Sequence, residues 1–300
     1  MSQIRLEHTL NHFMIPRSFG THDGSFHADE VTACSLLLLF RLIDLDKIVR
    51  SRDPIQWQEC DYLCDVGGIY DPKRRRFDHH QVDYQGPLSS AGMILLYLKE
   101  EKIIDAKLYE HFNHLLVLGV DAHDNGRGSQ EFGTMNFSQV VSNFMPIEYE
   151  ASKEELNEAF FKAVDFVVSH LRRFHQRFLY THRCADLVKE AMIKADNVLI
   201  FDQSIPWMDN FFELGGELHP AQFVIMPSGE HWKLRGIPPN FYDRMKVRRP
   251  LPEKWAGLQD EALRKVSGID GAIFCHKGRF ISIWKTKEDA ILALRKAIQR

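Results

Sequence analysis

The chain has 300 residues, 44% of them hydrophobic and 26% charged, which suits an ordinary globular protein and leaves room for two domains. Its 38 Lys and Arg against 41 Asp and Glu give a formal net charge of -3, so the whole molecule has no electrostatic case for gripping long duplex nucleic acid, and any basic site must be local. The longest apolar run, "LLLLF" at Leu36 to Phe40, meets Arg41 far too early to span a bilayer and reads as part of a buried helix.

In chain order, the opening "MSQIRLEHTLNHFMIPRSF" lacks a cationic segment followed by a continuous apolar one, so no secretory leader is expected and the cytoplasm is the expected compartment. "RSFGT" reads as a short strand ending at His22, followed by a helix with an acidic first turn in "HADEVTACSLLLLFRL". "KIVRSR" and "DYLCDVGG" have the apolar and β-branched character of strands, the second stopping at Gly67 and Gly68. "SSAGMILLYLKEEK" is a helix with Ser89 or Ser90 as its cap, and "KLYEHFNHLLVLGV" is another that runs into Asp121. Strands alternating with helices predict an α/β domain with a mainly parallel sheet over residues 1–148.

From about Ser152 to Ala195 the spacing is helical and neither Gly nor Pro occurs, so residues 149–196 are expected to form a helical connector. "VLIFD", "QFVIM", "HWKLRGI" and "GAIFCH" are then short strands, and "TKEDAILALRKAIQR" is a closing helix, giving a smaller α/β domain over 197–300. The five cysteines (Cys34, Cys60, Cys64, Cys184 and Cys275) are odd in number and scattered, which argues against a disulfide framework. Cys60 and Cys64 have no second pair to complete a structural zinc site.

Histidine is the oddity of the composition, with 15 in the chain, several beside aspartate in "THDGSFHADE", "FDHHQ" and "VDAHDNG". Imidazole and carboxylate together suit manganese, zinc, iron or cobalt better than calcium, which prefers oxygen alone. In open α/β sheets the ligand crevice lies outside the carboxyl ends of the strands. His22 and Asp29 follow one predicted strand and Asp65 ends another, while the "DHH" and "VDAHD" segments are expected in loops that converge on the same rim. Taken singly each cluster has an ordinary reading, a surface pair or an acidic helix start; the recurrence at strand ends is what makes a shared metal site the better account.

"DHHQ" at 78–81, preceded by "DVGGIYDPKRRRF" and "GTHDGSFHADE" and followed by "LSSAG" and "VDAHDNG", resembles the melanocyte-proliferating-gene family, a branch of the DHH phosphoesterase superfamily. The similarity continues through "RRPLPEKWAGLQDEAL" and "VSGIDGAIFCHKGRF", so it covers nearly the whole chain.

The resemblance implies a phosphoesterase with two divalent ions, manganese first, with magnesium, zinc or cobalt as alternatives. Carried over residue by residue, the ligands are His22, His27 and Asp29 from the first motif, Asp65 from the second, His79 from the third and Asp121 from the fourth. The superfamily places an aspartate where this chain has His27, which lowers the negative charge of the site. Two ions about 3.5 to 4 Å apart hold a bridging hydroxide in such sites. Asp65 is the expected bridging carboxylate, Asp78 the group that orients His79, and His80 a contact to the scissile phosphate, so Asp78 and His80 are the catalytic candidates beside the ligands. Asp23 is left as a further ligand or a hydrogen-bond partner, and His123 and Asp124 are placed outside the coordination sphere.

Arg74 and Arg76 in "KRRR", with Arg248 and Arg249 in "DRMKVRRPLP", are the substrate-binding candidates, against the plain reading of "KRRR" as a solvated charge run. The resemblance implies that the domain over 197–300 binds the rest of the substrate; where relatives carry a Gly-Gly pair, this chain has Ser282, Ile283 and Trp284, and Trp284 is either a platform for a base or a buried aromatic of the sheet.

The leading expectation is a metal-dependent 3'-5' exonuclease acting on single-stranded RNA or short oligonucleotides. Competing readings are hydrolysis of a small phosphate compound such as pyrophosphate or a nucleotide, an HD-type phosphohydrolase built on His123 and Asp124, and a non-catalytic protein that binds metal and nucleotide. No membrane partner is expected. The oligomeric state is open, a homodimer included.

Overall fold

A computed structural model describes residues 14–129 and 131–299; the expectation about a leader falls largely on residues outside that range. The chain divides into two compact units, one ending at Gln176 and one starting at Arg177.

The first unit contains β1 (Ile15–Thr21), α1 (Ala28–Leu39), β2 (Ile48–Arg50), α2 (Pro54–Trp57), β3 (Cys60–Cys64), β4 (Tyr70–Asp71) and β5 (Arg76–Phe77). These are followed by α3 (Ser90–Glu100), α4 (Ala106–Phe112), α5 (Leu118–Asp124), α6 (Phe137–Ser142) and the long α7 (Lys153–Arg183). The sheet order is β2-β1-β3-β5-β4. β1 runs parallel to β2 and β3, and β3 parallel to β5; β4 returns antiparallel at the edge. The expected α/β domain with a mainly parallel sheet is therefore the fold of this unit.

Close packing explains the central strand. A Cβ on Gly20 of β1 would come within 2.5 Å of Leu63 and 2.9 Å of Trp57, so only glycine lets β3 and α2 approach. α1 is buried from Ala28 through Leu37 and packs against α3, α5 and α6, which accounts for its having no polar face. α4 and α5 are joined by a π-helical turn at Asn113–Val117, so "VDAHD" is the last stretch of a helix and not the expected loop. π-turns are rare, and this one sets the rotational phase of the two aspartates that follow it.

α7 is one unbroken 31-residue helix, followed after Cys184 by α8 (Ala185–Lys194). Phe160, Ala163, Val164, Val167 and Leu171 form a buried stripe at helical spacing in its first part. The division between the units falls inside this helix, so the segment read as a connector is shared between them.

The second unit continues with β6 (Val198–Ile200), α9 (Met208–Glu213), β7 (Phe223–Ser228), β8 (His231–Gly236), α10 (Asp260–Ser267), β9 (Ala272–Cys275), β10 (Ile281–Trp284) and α11 (Lys287–Ile298). Its sheet order is β6-β7-β8-β10-β9, with only β6 and β7 parallel. One face, with Phe223, Ile225, Leu234 and Trp284, packs on α10 and α11 around Trp255. Leu199, Val224 and Met226, on the β6–β7 side, pack with Val188 of α8 and Phe211 of α9 in a separate core. Trp284 is fully buried and donates its indole N–H to the Ser282 hydroxyl at 2.8 Å, so it is a core residue with no ring face for a base.

Candidate metal centre

β1 has β2 on one side and β3 on the other, so the chain departs from neighbouring strands in opposite directions at their carboxyl ends and leaves a crevice there. His22 follows β1 directly and Asp65 follows β3. Asp65 takes φ +56°, a left-handed conformation that aspartate tolerates better than most residues, and its N–H stays bonded to the Phe77 carbonyl at 3.1 Å. That sharp turn leaves its two oxygens on two sets of partners: Oδ2 is 3.1 Å from His22 Nε2, while Oδ1 lies 3.2 Å from His80 Nδ1 and 3.5 Å from His79 Nε2.

α1 supplies the floor. Asp29 and Glu30 in its first turn are fully buried, and both Glu30 oxygens accept the His27 N–H, at 2.9 and 3.0 Å. Glu30 Oε1 also approaches His22 Nε2 at 3.4 Å. From α5, Asp124 Oδ2 reaches His79 Nε2 at 3.0 Å, and Asp29 Oδ2 is 3.9 Å from the same nitrogen. Three groups emerge whose ligand atoms lie within 4.8 Å of one another: His22, His27, Glu30 and Asp65; Asp65, His79 and His80; and His27, Asp29 and Asp124. Asp65 belongs to two of them, and His27 to two.

The electrostatics of this cluster are unusual. Burial, reinforced by Asp65 and Asp124, pushes the Asp29 carboxyl up to about 8, and burial with Asp29 and Asp65 raises Glu30 as well. Burial also acts to raise Asp65, but hydrogen bonds from His22, His79 and His80 outweigh it and hold the carboxyl well below its usual range. For His79, burial opposes protonation, yet Asp124 and Asp65 raise its pKa to about 10; Asp65 is the main cause that takes His80 to about 9.

The donor set fits a bound cation. Both oxygens of Asp29, Oδ1 of Asp65 and Nε2 of His79 are buried without an aligned hydrogen-bond partner. Buried polar atoms are rarely left unsatisfied, and carboxylates are not brought together in low dielectric without a compensating charge. His22 Nδ1 lies 3.0 Å from the Asp23 carbonyl, a contact that fixes the tautomer with Nε2 free to ligate. The mixed nitrogen and oxygen donors fit a divalent transition ion, and Asp65, with one oxygen toward each side, fits a carboxylate shared by two.

Two cavities flank the centre. One, of about 360 Å³, is lined by His22, His27, Arg52, Asp65, Asp78 and His80, among others. The other, of about 560 Å³, is lined by His27, His79, His80, His123, Asp124 and Ser138, with Ala28, Asn125 and Ser142. His27 and His80 border both, so the centre is open on two sides.

The sequence-predicted residues fall unevenly. His22, His27, Asp29, Asp65, His79 and His80 converge. Asp121 is absent from the three ligand groups: its Oδ1 accepts from the Ser89 N–H, the Ser89 hydroxyl and the Gly92 N–H, at 3.0, 2.7 and 3.1 Å. It caps α3 from outside, and a Cβ on Gly92 would collide with its carboxylate at 2.3 Å. Asp124, set aside in the sequence reading, stands beside His79 instead, and Glu30 joins the cluster without having been anticipated. Asp78 accepts from the His80 N–H and from Gly68, and its Oδ1 is 2.9 Å from His80 Nδ1; it positions His80, not His79. Asp23 pairs with Lys153 at 2.9 Å and has Arg52 at 3.7 Å.

Of the predicted arginines, those of the first unit are not among the ligand groups. Arg74 is exposed and Arg76 directs its guanidinium to the Asp61 and Arg75 carbonyls; neither lines either of the two cavities described above. In the second unit, Arg249 meets the Ile298 carbonyl and Gln222. Arg248 spends its N–H groups on the carbonyls of Pro238, His219, Ala221, Gly216 and Glu217, which corrects its reading as a substrate contact: no donor is left for phosphate. The cation the sequence reading overlooked is Arg52, which lies just past β2 and lines the first cavity.

A family model described as Uncharacterised protein family (UPF0160), MYG1_exonuc, matches residues 18–298. The chain belongs to this MYG1 family. Its sequence is 52% identical to the MYG1 protein of Chlamydia pneumoniae over 285 residues, covering 95% of this chain and 98% of that one. It is 34% identical to the MYG1 exonuclease of Rattus norvegicus, over 94% of this chain and 84% of the relative. Among solved structures, Thermus thermophilus RecJ in complex with Mn2+ is similar at 14% identity and a TM-score of 0.26, over 93% of this chain and 52% of that one, too distant a likeness to argue from.

Proposed function

We propose that the protein is a divalent-metal-dependent phosphodiesterase that removes nucleotides from single-stranded RNA or short oligonucleotides in the 3'-5' direction, with two ions, manganese foremost. Relatives named MYG1 exonuclease support the nuclease class. The observation that carries the reading is Asp65, which offers one oxygen to His22 and the other to His79 and His80, beside the buried oxygens of Asp29, which have no hydrogen-bond partner.

When bound, the ions activate water and neutralise phosphoryl charge as Lewis acids. Asp65, Asp29, Glu30, Asp124, His22, His27 and His79 would hold them. Asp78 fixes the ring of His80, whose side chain is 65% exposed at the border of both cavities and so available to a phosphate oxygen. Arg52 supplies a permanent positive charge in the first cavity, while the neutral side chains of Ser138, Ser142 and Asn125 in the second suit the sugar and base. Openings on both sides favour an extended strand over a small enclosed phosphate compound.

The test is degradation of end-labelled single-stranded RNA with manganese, wild type beside Asp65→Asn. Expected is a ladder that shortens from the 3' end and vanishes in the variant, a loss larger than the roughly 10- to 100-fold typical of residues that only orient a ligand. Equal activity in both proteins would overturn the role of Asp65, and metal-independent cleavage would overturn the reading.

A further inference from the structure

The second unit contains an anomaly that the metal centre does not use. On β8, Lys233 and Arg235 point away from Leu234 and so lie on the face opposite the α10–α11 core. Cross-strand registry gives two rows on that face: Val224, Arg235 and Ile281, then Met226, Lys233, Ile283 and Phe274. Val224 and Met226 are covered, but Lys233, Arg235, Ile281, Ile283 and Phe274 belong to neither apolar core of the unit and are each half-buried.

Neither cation has an acidic partner among the described residues. The Lys233 ammonium makes no hydrogen bond or ion pair, the Arg235 guanidinium donates only to the Arg244 carbonyl at 3.4 Å, and its Nε is buried without a partner. Arg244, the next cation, is already engaged by Asp209 at 2.8 Å. Burial, and after it the neighbouring arginine in each case, lowers the pKa of both side chains. Two like charges held half out of water without a counter-ion are destabilising, and a fold does not keep them for packing.

We infer that this sheet face binds single-stranded nucleic acid, with Lys233 and Arg235 on successive phosphates and Ile281, Ile283 and Phe274 against the bases. Charge complementarity selects an anion. Alternate residues on a strand are about 7 Å apart, which suits neighbouring phosphates of an extended strand. The apolar side chains beside the charges, on β10 and β9, favour exposed base faces, which a duplex hides. The inference rests on the nuclease reading for its choice of polymer but does not depend on turnover.

The experiment uses the full chain stripped of metal with chelator and a fluorescein-labelled 12-nucleotide single-stranded RNA, its duplex serving as the control, read by anisotropy. Wild type is expected to prefer the single strand. Lys233→Met with Arg235→Met should weaken binding by about tenfold or more and flatten the log–log salt dependence by about 1.4, the value for two lost phosphate contacts. The double variant should melt no lower than wild type, because removing unpaired half-buried charge relieves a cost; this separates lost binding from lost folding. Manganese-dependent hydrolysis of bis(p-nitrophenyl) phosphate, which needs only the metal centre, should be unchanged. Equal RNA affinity in wild type and variant overturns the inference. So does a wild type that cleaves the small ester but does not bind RNA, whereas RNA binding without any hydrolysis would sink the metal reading and leave this one standing.

Discussion

Both units are built on five strands whose last two swap places in the order, yet three of four pairings are parallel in the first sheet and three of four antiparallel in the second. The difference decides where chemistry collects. Parallel strands release the chain repeatedly at one edge, so side chains distant in sequence, His22, Asp65 and His79, meet at strand ends. Antiparallel strands return at both edges, and what they align is a face: Arg235 beside Ile281, Lys233 beside Ile283. The first site crowds buried acids around its histidines; the second has half-buried cations with no acidic partner among the described residues. Each is electrostatically incomplete in the opposite sense, and each is read by asking what would complete it.

The largest expected effect sharpens the acid side of that contrast. Asp124→Ala should lower manganese affinity, measured by calorimetry, on the order of 100-fold, whereas Asp121→Asn, which keeps an acceptor for Ser89 and Gly92, should change it by less than about tenfold. The reverse order would return Asp121 to the coordination sphere and break the assignment made from geometry.

A smaller effect lies in pH. Asp29, with its carboxyl near 8 in the folded protein against about 3.9 unfolded, makes the folded state hold more protons between those values, so metal-free stability falls as pH rises through that window. His79 near 10 and His80 near 9 contribute stability that is intact below about 6.5 and is lost as pH rises through 9 and 10. Asp65, shifted down, contributes above about 4 and loses its contribution only as pH falls further. The metal-free protein should therefore weaken from pH 6 to 9. Ions need these ligands deprotonated, so their affinity should rise about tenfold per pH unit for each proton released. Melting temperatures with and without manganese at pH 6, 7.5 and 9 check this: the gap should widen with pH, and a constant gap would mean that the buried acids are not the ligands.

What the sequence disclosed follows from the range over which each signal acts. Strand-end residues such as His22 and Asp65 were legible because a short apolar run and its punctuation are local, and "DHH" was legible because its three polar residues have no place in a core. The place of Asp124 beside His79 was not, because it depends on the phase of α5, which the π-turn at Asn113–Val117 resets without any composition signal. Glu30 stood in the same motif as Asp29 but was read as an acidic helix start; its bond to the His27 N–H is that role, and only burial against His22 adds another. Lys233 and Arg235 left no trace in sequence, since alternation on a strand does not reveal which face lacks an acid.

The smallest predicted effect tests how charge should be read in the second unit, where Arg248 resembles Lys233 and Arg235 in composition and differs in partners. Its guanidinium is saturated by five carbonyl oxygens from the 216–221 segment and Pro238, so it acts as a brace. Arg248→Met should destabilise the protein by about 2 kcal/mol, because those carbonyls lose their donor while part of the site remains open to water. The RNA affinity of the folded fraction should stay within about twofold. Arg52→Ala should behave the other way: its side chain is 73% exposed and only loosely paired with Asp23, so the melting temperature should hold while KM for oligonucleotides rises a few-fold. If Arg248→Met instead weakens RNA binding without lowering the melting temperature, its carbonyl contacts are exchangeable for phosphate. Counting satisfied donors would then no longer separate brace from binding site, and the argument from unpaired cations on the second sheet would lose its footing along with it.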